Sequence, residues 1–336
     1  MRIAVTGSIA TDHLMTFPGR FAEQLLPEQL DSVSLSFLAD TLEVRRGGTG
    51  ANIAYGLALL GRSPVLVGAV GPDFAADRER LEALGVDTSH LWVSAHHQTA
   101  RFVSTTDLDQ NQIATFYPGA MAEAGKIDLR RIAASGGGLD LVLIAPDDPK
   151  AMVRHTTVCV QTRLPFAADP SQQLARLDRQ EARALLAGPR YLFTNEYEAS
   201  LLLERTGWSE REVLDRVGTW VTTLGAAGVR LRAAGRPDVL VSALPSTAVA
   251  EPPVCVGDAF RAGFLAALAG GADEETAARH GCALAVIALE SVGGQEYHAG
   301  PAELRRRVFQ GYGEVISGRD EPVREPSHKQ KRVPGR

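Results

Sequence analysis

The chain has 336 residues, of which 45% are hydrophobic and 22% charged, enough to bury a large core in one or two domains. A formal charge of -5 gives no general electrostatic reason to bind nucleic acid or an anionic membrane, which leaves a small-molecule partner as the expectation. No run approaches the roughly 18 apolar residues of a membrane span, and the three cysteines, Cys159, Cys255 and Cys282, have neither metal-ligand spacing nor a disulfide framework.

Met1-Arg2-Ile3-Ala4-Val5-Thr6-Gly7 becomes a strand at once and lacks the basic-then-apolar pattern of a signal peptide, so a cytoplasmic protein is expected. Further short apolar runs predict strands over residues 65–70, 139–145, 166–169, 191–194 and 221–224. Their apolarity is continuous rather than alternating, which suits strands buried on both faces of a mainly parallel sheet. Helical patterns separate them: 52–60, closed by Gly61; a segment after the Ser209/Glu212 capping box; 258–268; and 273–289. This is a doubly wound α/β pattern, and its ligand is expected at the carboxyl ends of the strands.

Two stretches, 14–46 and 98–118, alternate more. Their β-branched and aromatic segments, 33–37, 100–105 and 112–117, predict a small second sheet that acts as a lid and excludes water. Residues 316–336 are expected to be a disordered basic tail. The last eighteen residues are poor in apolar side chains and hold six Lys or Arg against three Asp or Glu, 6 - 3 = +3.

The most informative segment is Val256-Gly257-Asp258-Ala259-Phe260-Arg261-Ala262-Gly263-Phe264. A Gly-containing turn at a helix start points backbone N–H groups and the positive end of the helix dipole at one spot, where an anion can be held. A carboxylate beside that anion can take the proton of an attacking hydroxyl, the acid–base event of phosphoryl transfer to an alcohol. By itself the string also fits an aspartate that only caps a helix.

Together with Gly47-Gly48-Thr49-Gly50-Ala51-Asn52-Ile53-Ala54, this segment makes residues 1–315 resemble the PfkB, or ribokinase-like, sugar and nucleoside kinases. Gly7-Ser8-Ile9-Ala10-Thr11-Asp12-His13, Phe116-Tyr117-Pro118-Gly119-Ala120 and Asp169-Pro170-Ser171-Gln172-Gln173-Leu174-Ala175-Arg176 look closest to the actinobacterial type of adenosine kinase. The resemblance implies a ribokinase-like fold with a small β lid, ATP with Mg²⁺ and a monovalent cation such as K⁺ as an option. It also implies phosphorylation of the 5′-hydroxyl of a ribonucleoside, adenosine first.

On that resemblance Asp258 is the general base, with the backbone of Cys255, Val256 and Gly257 around the transferring phosphate. Ser8 and Asp12 meet the ribose, Asp12 by accepting from vicinal hydroxyls. Gly47 and Gly48 let the backbone approach the sugar, and Asn52 offers a donor and an acceptor to a hydroxyl. Phe102 and Phe116 sandwich a purine, with Gln172, Gln173 and Arg176 at the neighbouring strand end. Asn195 and Glu198 organise the water shell of Mg²⁺, and Asn195, Thr223, Gly225 and Gly228 belong to the nucleotide site. The partners are a nucleoside or sugar and ATP; a homodimer is one option the sequence leaves open.

One departure stands out. Where the family has Thr and Gly in its anion-hole loop, this chain has Val254 and Cys255. If that position needs positive φ, a Cβ there costs roughly 1 to 2 kcal/mol. A slow kinase, a loop adapted by a local shift, and a nucleoside-binding protein without catalysis all follow from it, as does a reactive thiolate at Cys255. A ribose or fructose kinase is the alternative activity. A nicotinamide dehydrogenase is disfavoured, since no Gly-x-Gly-x-x-Gly follows the first strand.

Overall fold

The computed structural model describes residues 1–25, 31–32, 34–246 and 255–313. The chain opens with strand β1 (Ile3–Thr6), then β2 (Ala10–Thr16), the single-turn helix α1 (Phe21–Gln24), β3 (Thr41–Gly47) and α2 (Thr49–Leu59). It continues through β4 (Val65–Val67), β5 (Ala69–Val70), α3 (Ala75–Ala83), β6 (Trp92–Val93), β7 (Ala100–Thr106) and β8 (Gln112–Tyr117). Next come α4 (Leu129–Ala134), β9 (Leu141–Ile144), α5 (Pro149–Thr162), β10 (Phe166–Ala168), α6 (Arg179–Leu185), β11 (Tyr191–Asn195), α7 (Glu196–Thr206) and α8 (Glu210–Leu214). The described chain closes with β12 (Thr219–Thr223), β13 (Val229–Arg232), β14 (Val239–Val241), α9 (Val256–Ala269), α10 (Glu274–Leu289) and α11 (Pro301–Tyr312).

The main sheet has eight strands in the order β14-β13-β12-β11-β10-β9-β1-β4. It is parallel from β12 to β4, and β13 and β14 continue it antiparallel at one edge. Alternate residues of one strand enter opposite cores: Ile3, Val5, Leu141 and Leu143 pack with α2, α9 and α10, while Ala4, Val142 and Ile144 pack with α4 to α8. Burial on both faces is why these strands read as unbroken apolar runs. The capping box at Ser209 and Glu212 forms at the start of α8, and Asp273 caps α10 by accepting from the N–H of Thr276.

The lid is a second sheet, β3-β2-β7-β8. Its register aligns Arg45, Asp12, Phe102 and Phe116 in one row across all four strands, so their side chains share a face. The expectation of a strand at 33–37 fails: residues 34–37 are not in a strand, and Val33 lies outside the described residues. The lid uses residues 10–16 and 41–47 instead. The run at 65–70 is split at Gly68, where a Cβ would lie 2.7 Å from the Gly7 carbonyl oxygen; β4 stays in the main sheet and β5 pairs with β6. Residues 316–336 also lie outside the described residues. Among the described residues no helix is long and apolar enough to cross a membrane.

Candidate active site

Strand β1 sits between β4 and β9, the point where successive connections leave to opposite sides, and a parallel sheet opens a crevice at such a switch. From β1 the chain passes directly through Gly7 and Ser8 into the lid. Between the lid and the carboxyl ends of the strands lies a cleft of about 720 Å³. It is lined from the lid by Asp12, Phe102 and Phe116, from the start of α2 by Gly48 and Asn52, and from the start of α9 by Cys255, Val256, Gly257 and Asp258. Ser8 lines it from the end of β1, and Gln172, Gln173 and Arg176 from the loop after β10. Asn195, Glu198 and Thr223 line its far end.

Helix α9 starts without a side-chain cap. Cys255, at its N-cap position, has φ 69 and ψ 8, in the left-handed region, so this position does need positive φ. The Ala259 N–H closes the first turn on the Cys255 carbonyl, and among the described residues the N–H groups of Val256, Gly257 and Asp258, which line the cleft, meet no acceptor. A half-positive helix end with three open donors is an anion site. Val254 and the rest of 247–254 lie outside the described residues.

Asp258, in the first turn of α9, accepts a hydrogen bond on Oδ2 from Asn52 Nδ2 at 2.9 Å. Burial raises its pKa to about 6, helped by Asp12 and Glu198 and opposed by Asn52 and Arg261. Arg261, one turn on, donates from Nη2 to Asp169 Oδ1 at 2.6 Å and sets its Nε 2.5 Å from Oδ2 as an ion-pair contact. Burial pushes the Asp169 carboxyl up, to about 7, against the pull of Arg261; close contact with that permanently charged guanidinium holds the pair ionised. The carboxylate of Asp12 meets no protein donor among the described residues. Burial and the neighbouring Glu296 raise its pKa to about 6, against the pull of Arg45.

Three expectations change here. Asn52 is 2% exposed, and its amide is engaged by protein: Nδ2 reaches Asp258 and, at 3.2 Å, Cys255 Sγ, while Oδ1 accepts from Gln295. It holds the carboxylate rather than offering both groups to a hydroxyl. Cys255 favours the thiol rather than the thiolate: burial above all, then Asp258, Asp12 and Glu296, push its pKa up. Phe102 and Phe116 face each other directly across β7 and β8, so they form one wall side by side and cannot close on a ring from two sides.

Gly47 does not line the cleft; a Cβ there would lie 2.6 Å from both carboxylate oxygens of Asp12, so the glycine makes room for that side chain. Gly225 and Gly228 also lie outside the lining. They form the tight connection of β12 to antiparallel β13, with Leu224 N–H bonded to the Gly228 carbonyl. At Gly228, φ is 103 and a Cβ would meet the Val241 oxygen at 2.0 Å, so the turn explains this glycine.

Asn195 and Glu198 cap α7 reciprocally, and Glu198 also accepts from Ser171 Oγ at 2.9 Å. Among the described residues no cluster of three His, Cys, Asp or Glu could hold a metal. This donor set suits Mg²⁺ bound through waters and phosphates rather than in a protein cage. Gln173 lines the cleft but is 6% exposed, and its Oε1 is buried without a hydrogen-bond partner among the described residues. Sequence reasoning missed Ala10, Thr49, Met121, Ser171 and Arg261 in the lining. The signals for three of them were at hand: Thr49 lies within the glycine-rich motif, Ala10 two residues before Asp12 on the same strand, and Arg261 one helical turn after Asp258.

Residues 7–299 match the pfkB family carbohydrate kinases. The nucleoside kinase of Burkholderia thailandensis, solved in complex with inosine, is 34% identical and superposes with a TM-score of 0.81 over 93% of this chain and 98% of that one. The same enzyme has been solved in complex with ADP-inosine, at 34% identity and a TM-score of 0.80 over 96% and 100% of the two chains. A nucleoside kinase of Methanothermobacter thermautotrophicus is 30% identical over 80% of this chain and 85% of its own. A ribokinase of Bacillus subtilis is 29% identical over 87% and 94%.

Proposed function

The chain belongs to the pfkB family of carbohydrate kinases, ATP-dependent enzymes with a ribokinase-like fold that phosphorylate a nucleoside or a sugar, and from that premise we propose that it phosphorylates the 5′-hydroxyl of a ribonucleoside, adenosine first. The observation that carries this reading is the uncapped start of α9, with Asp258 in its first turn, inside a cleft shared with the lid. The open N–H groups of Val256, Gly257 and Asp258 steady the oxygens of the transferring phosphate. Asp258 Oδ2 is committed to Asn52, so Oδ1 takes the hydroxyl proton as the in-line attack proceeds. A pKa of about 6 keeps this base ionised at neutral pH yet close enough to accept a proton.

Asp12, without a protein donor, is free to accept from the vicinal ribose hydroxyls, a pairing that disfavours substrates lacking them. The Phe102 and Phe116 wall supports the base on one side, and the buried, unpartnered Oε1 of Gln173 beside the cleft is an acceptor that a nucleoside N–H or O–H would satisfy. Asn195, Glu198 and Thr223 line the part of the cleft where the nucleotide would lie, and Asn195 and Glu198 would hold Mg²⁺ through its waters. Held there, Mg²⁺ would supply positive charge against the phosphates.

Nucleoside kinases solved or described at 30–34% identity favour the nucleoside over a free sugar; the ribokinase relative supports ribose as the second reading. A panel of adenosine, inosine, ribose and fructose with ATP decides between them, and Asp258→Asn tests the mechanism. We expect nucleosides to turn over fastest and the variant to lose on the order of a thousandfold or more in kcat. Unchanged turnover in that variant removes Asp258 as the base.

A further inference from the structure

Gln295 lies in the loop after α10, far in sequence from every motif above, and is 3% exposed. Its Nε2 donates to Asn52 Oδ1 at 3.0 Å. Its Oε1 accepts from Arg80 Nη1 at 3.0 Å, and Arg80 Nη2 also donates to the Gln295 carbonyl at 2.7 Å. Arg80 is fixed from its other side by lying over the Tyr55 ring, 4.9 Å from the centroid. Gly294 lets the loop come this close: a Cβ there would sit 2.7 Å from Cys255 Sγ and 3.0 Å from Asn52 Nδ2.

The direction of these bonds is forced. A guanidinium only donates and an ionised carboxylate only accepts. Arg80 therefore requires the oxygen of Gln295 on its side, which turns the Gln295 amino group toward Asn52. That in turn requires the oxygen of Asn52 on the Gln295 side and its amino group on the side of Asp258. Both amides are out of water, so solvent cannot repair a reversed amide.

Resting on the reading of Asp258 as the base, we propose that Arg80 and Gln295 are positioning residues for phosphoryl transfer: their one-way hydrogen-bond relay locks the Asn52 amide so that it always presents N–H to Asp258 Oδ2, leaving Oδ1 free for the substrate proton. The relay runs from α3 through the 293–296 loop and α2 to α9, so the base is aligned by groups that never touch the substrate.

The test is Gln295→Glu, nearly identical in shape. It still accepts from Arg80 but, ionised, has no N–H for Asn52, whose amide then turns its oxygen toward Asp258. With ATP and the fastest acceptor of the panel, we expect kcat to fall roughly ten- to a hundredfold while the KM for ATP changes by less than about threefold. If Gln295→Glu does not fold, Arg80→Met and Arg80→Lys replace it: Lys keeps a donor for Gln295 and should retain more kcat than Met. Asp258→Asn is measured alongside. Should Asp258→Asn abolish turnover while Gln295→Glu, or Arg80→Met in its place, keeps kcat within about twofold of the parent, the relay is overturned and the base stands. Should Asp258→Asn retain turnover, the base assignment itself fails and takes the relay with it.

Discussion

Cys255 is the residue where sequence and backbone meet most sharply. The resemblance places a glycine where this chain has cysteine, and the chain adopts φ 69 there, so the Cβ strain of roughly 1 to 2 kcal/mol is accepted rather than avoided. The side chain has a seat, since Sγ lies against Asn52 Nδ2 and over a glycine, Gly294. Cys255→Gly should relieve the strain while giving back about 0.5 to 1 kcal/mol of glycine's unfolded-state entropy. Its stability should thus stay within about 1 kcal/mol of the parent, by urea denaturation, and its kcat within about threefold. A rise in kcat on the order of a hundredfold would mean that the thiol itself obstructs the phosphate. The motif residues around Asp258 and Asp12 were legible in sequence because the chemistry needs those residue types near glycines. Gln295 and Arg80 were not, since a buried amide reads like any other until its partners are known.

Elements carry a different lesson at the connection of β12 to β13. The run from Thr222 to Val229 reads as a nucleotide-binding turn, and Thr223 lines the cleft; because β13 returns antiparallel, its glycines also serve the hairpin. Gly228→Ala should therefore act on folding: a Cβ at 2.0 Å from the Val241 oxygen and 2.6 Å from the Ala243 nitrogen meets backbone on both sides. The loss should be about 3 kcal/mol or more, from strain plus overpacking. Gly225→Ala, whose Cβ would point into open space at φ 57, should cost about 1 kcal/mol. Equal urea midpoints for the two variants would contradict this account. The β13 strand, Val-Arg-Leu-Arg, escaped prediction for a related reason: it is a strand near the sheet edge with polar alternation, and only central strands give continuous apolar runs.

For the whole molecule, stability against pH reports what the fold has buried. Asp147, on the loop after β9, is 1% exposed, and its Oδ2 has no hydrogen-bond partner; burial raises its pKa to about 8. A folded-state pKa above the unfolded one means that the folded chain keeps this proton longer. This group's contribution is therefore complete below pH 4 and is lost as the pH climbs through 8. Asp147→Asn keeps an acceptor for the Asp148 N–H and has nothing to ionise. It should match the parent near pH 4 and exceed it by a few kcal/mol, on the order of 1.4 per pKa unit, near pH 9. Parallel stability curves in chemical denaturation would refute the assignment. The sequence by itself determined the parallel core, the helices that follow its strands and the two later strands of the second sheet, β7 and β8, because apolar periodicity and glycine turns act locally. Only the tertiary structure decided which hydrogen-bonding groups remain open to a ligand: Asn52 is taken, Asp12 is not, and the difference lies in what distant segments, above all the 293–296 loop, bring against them.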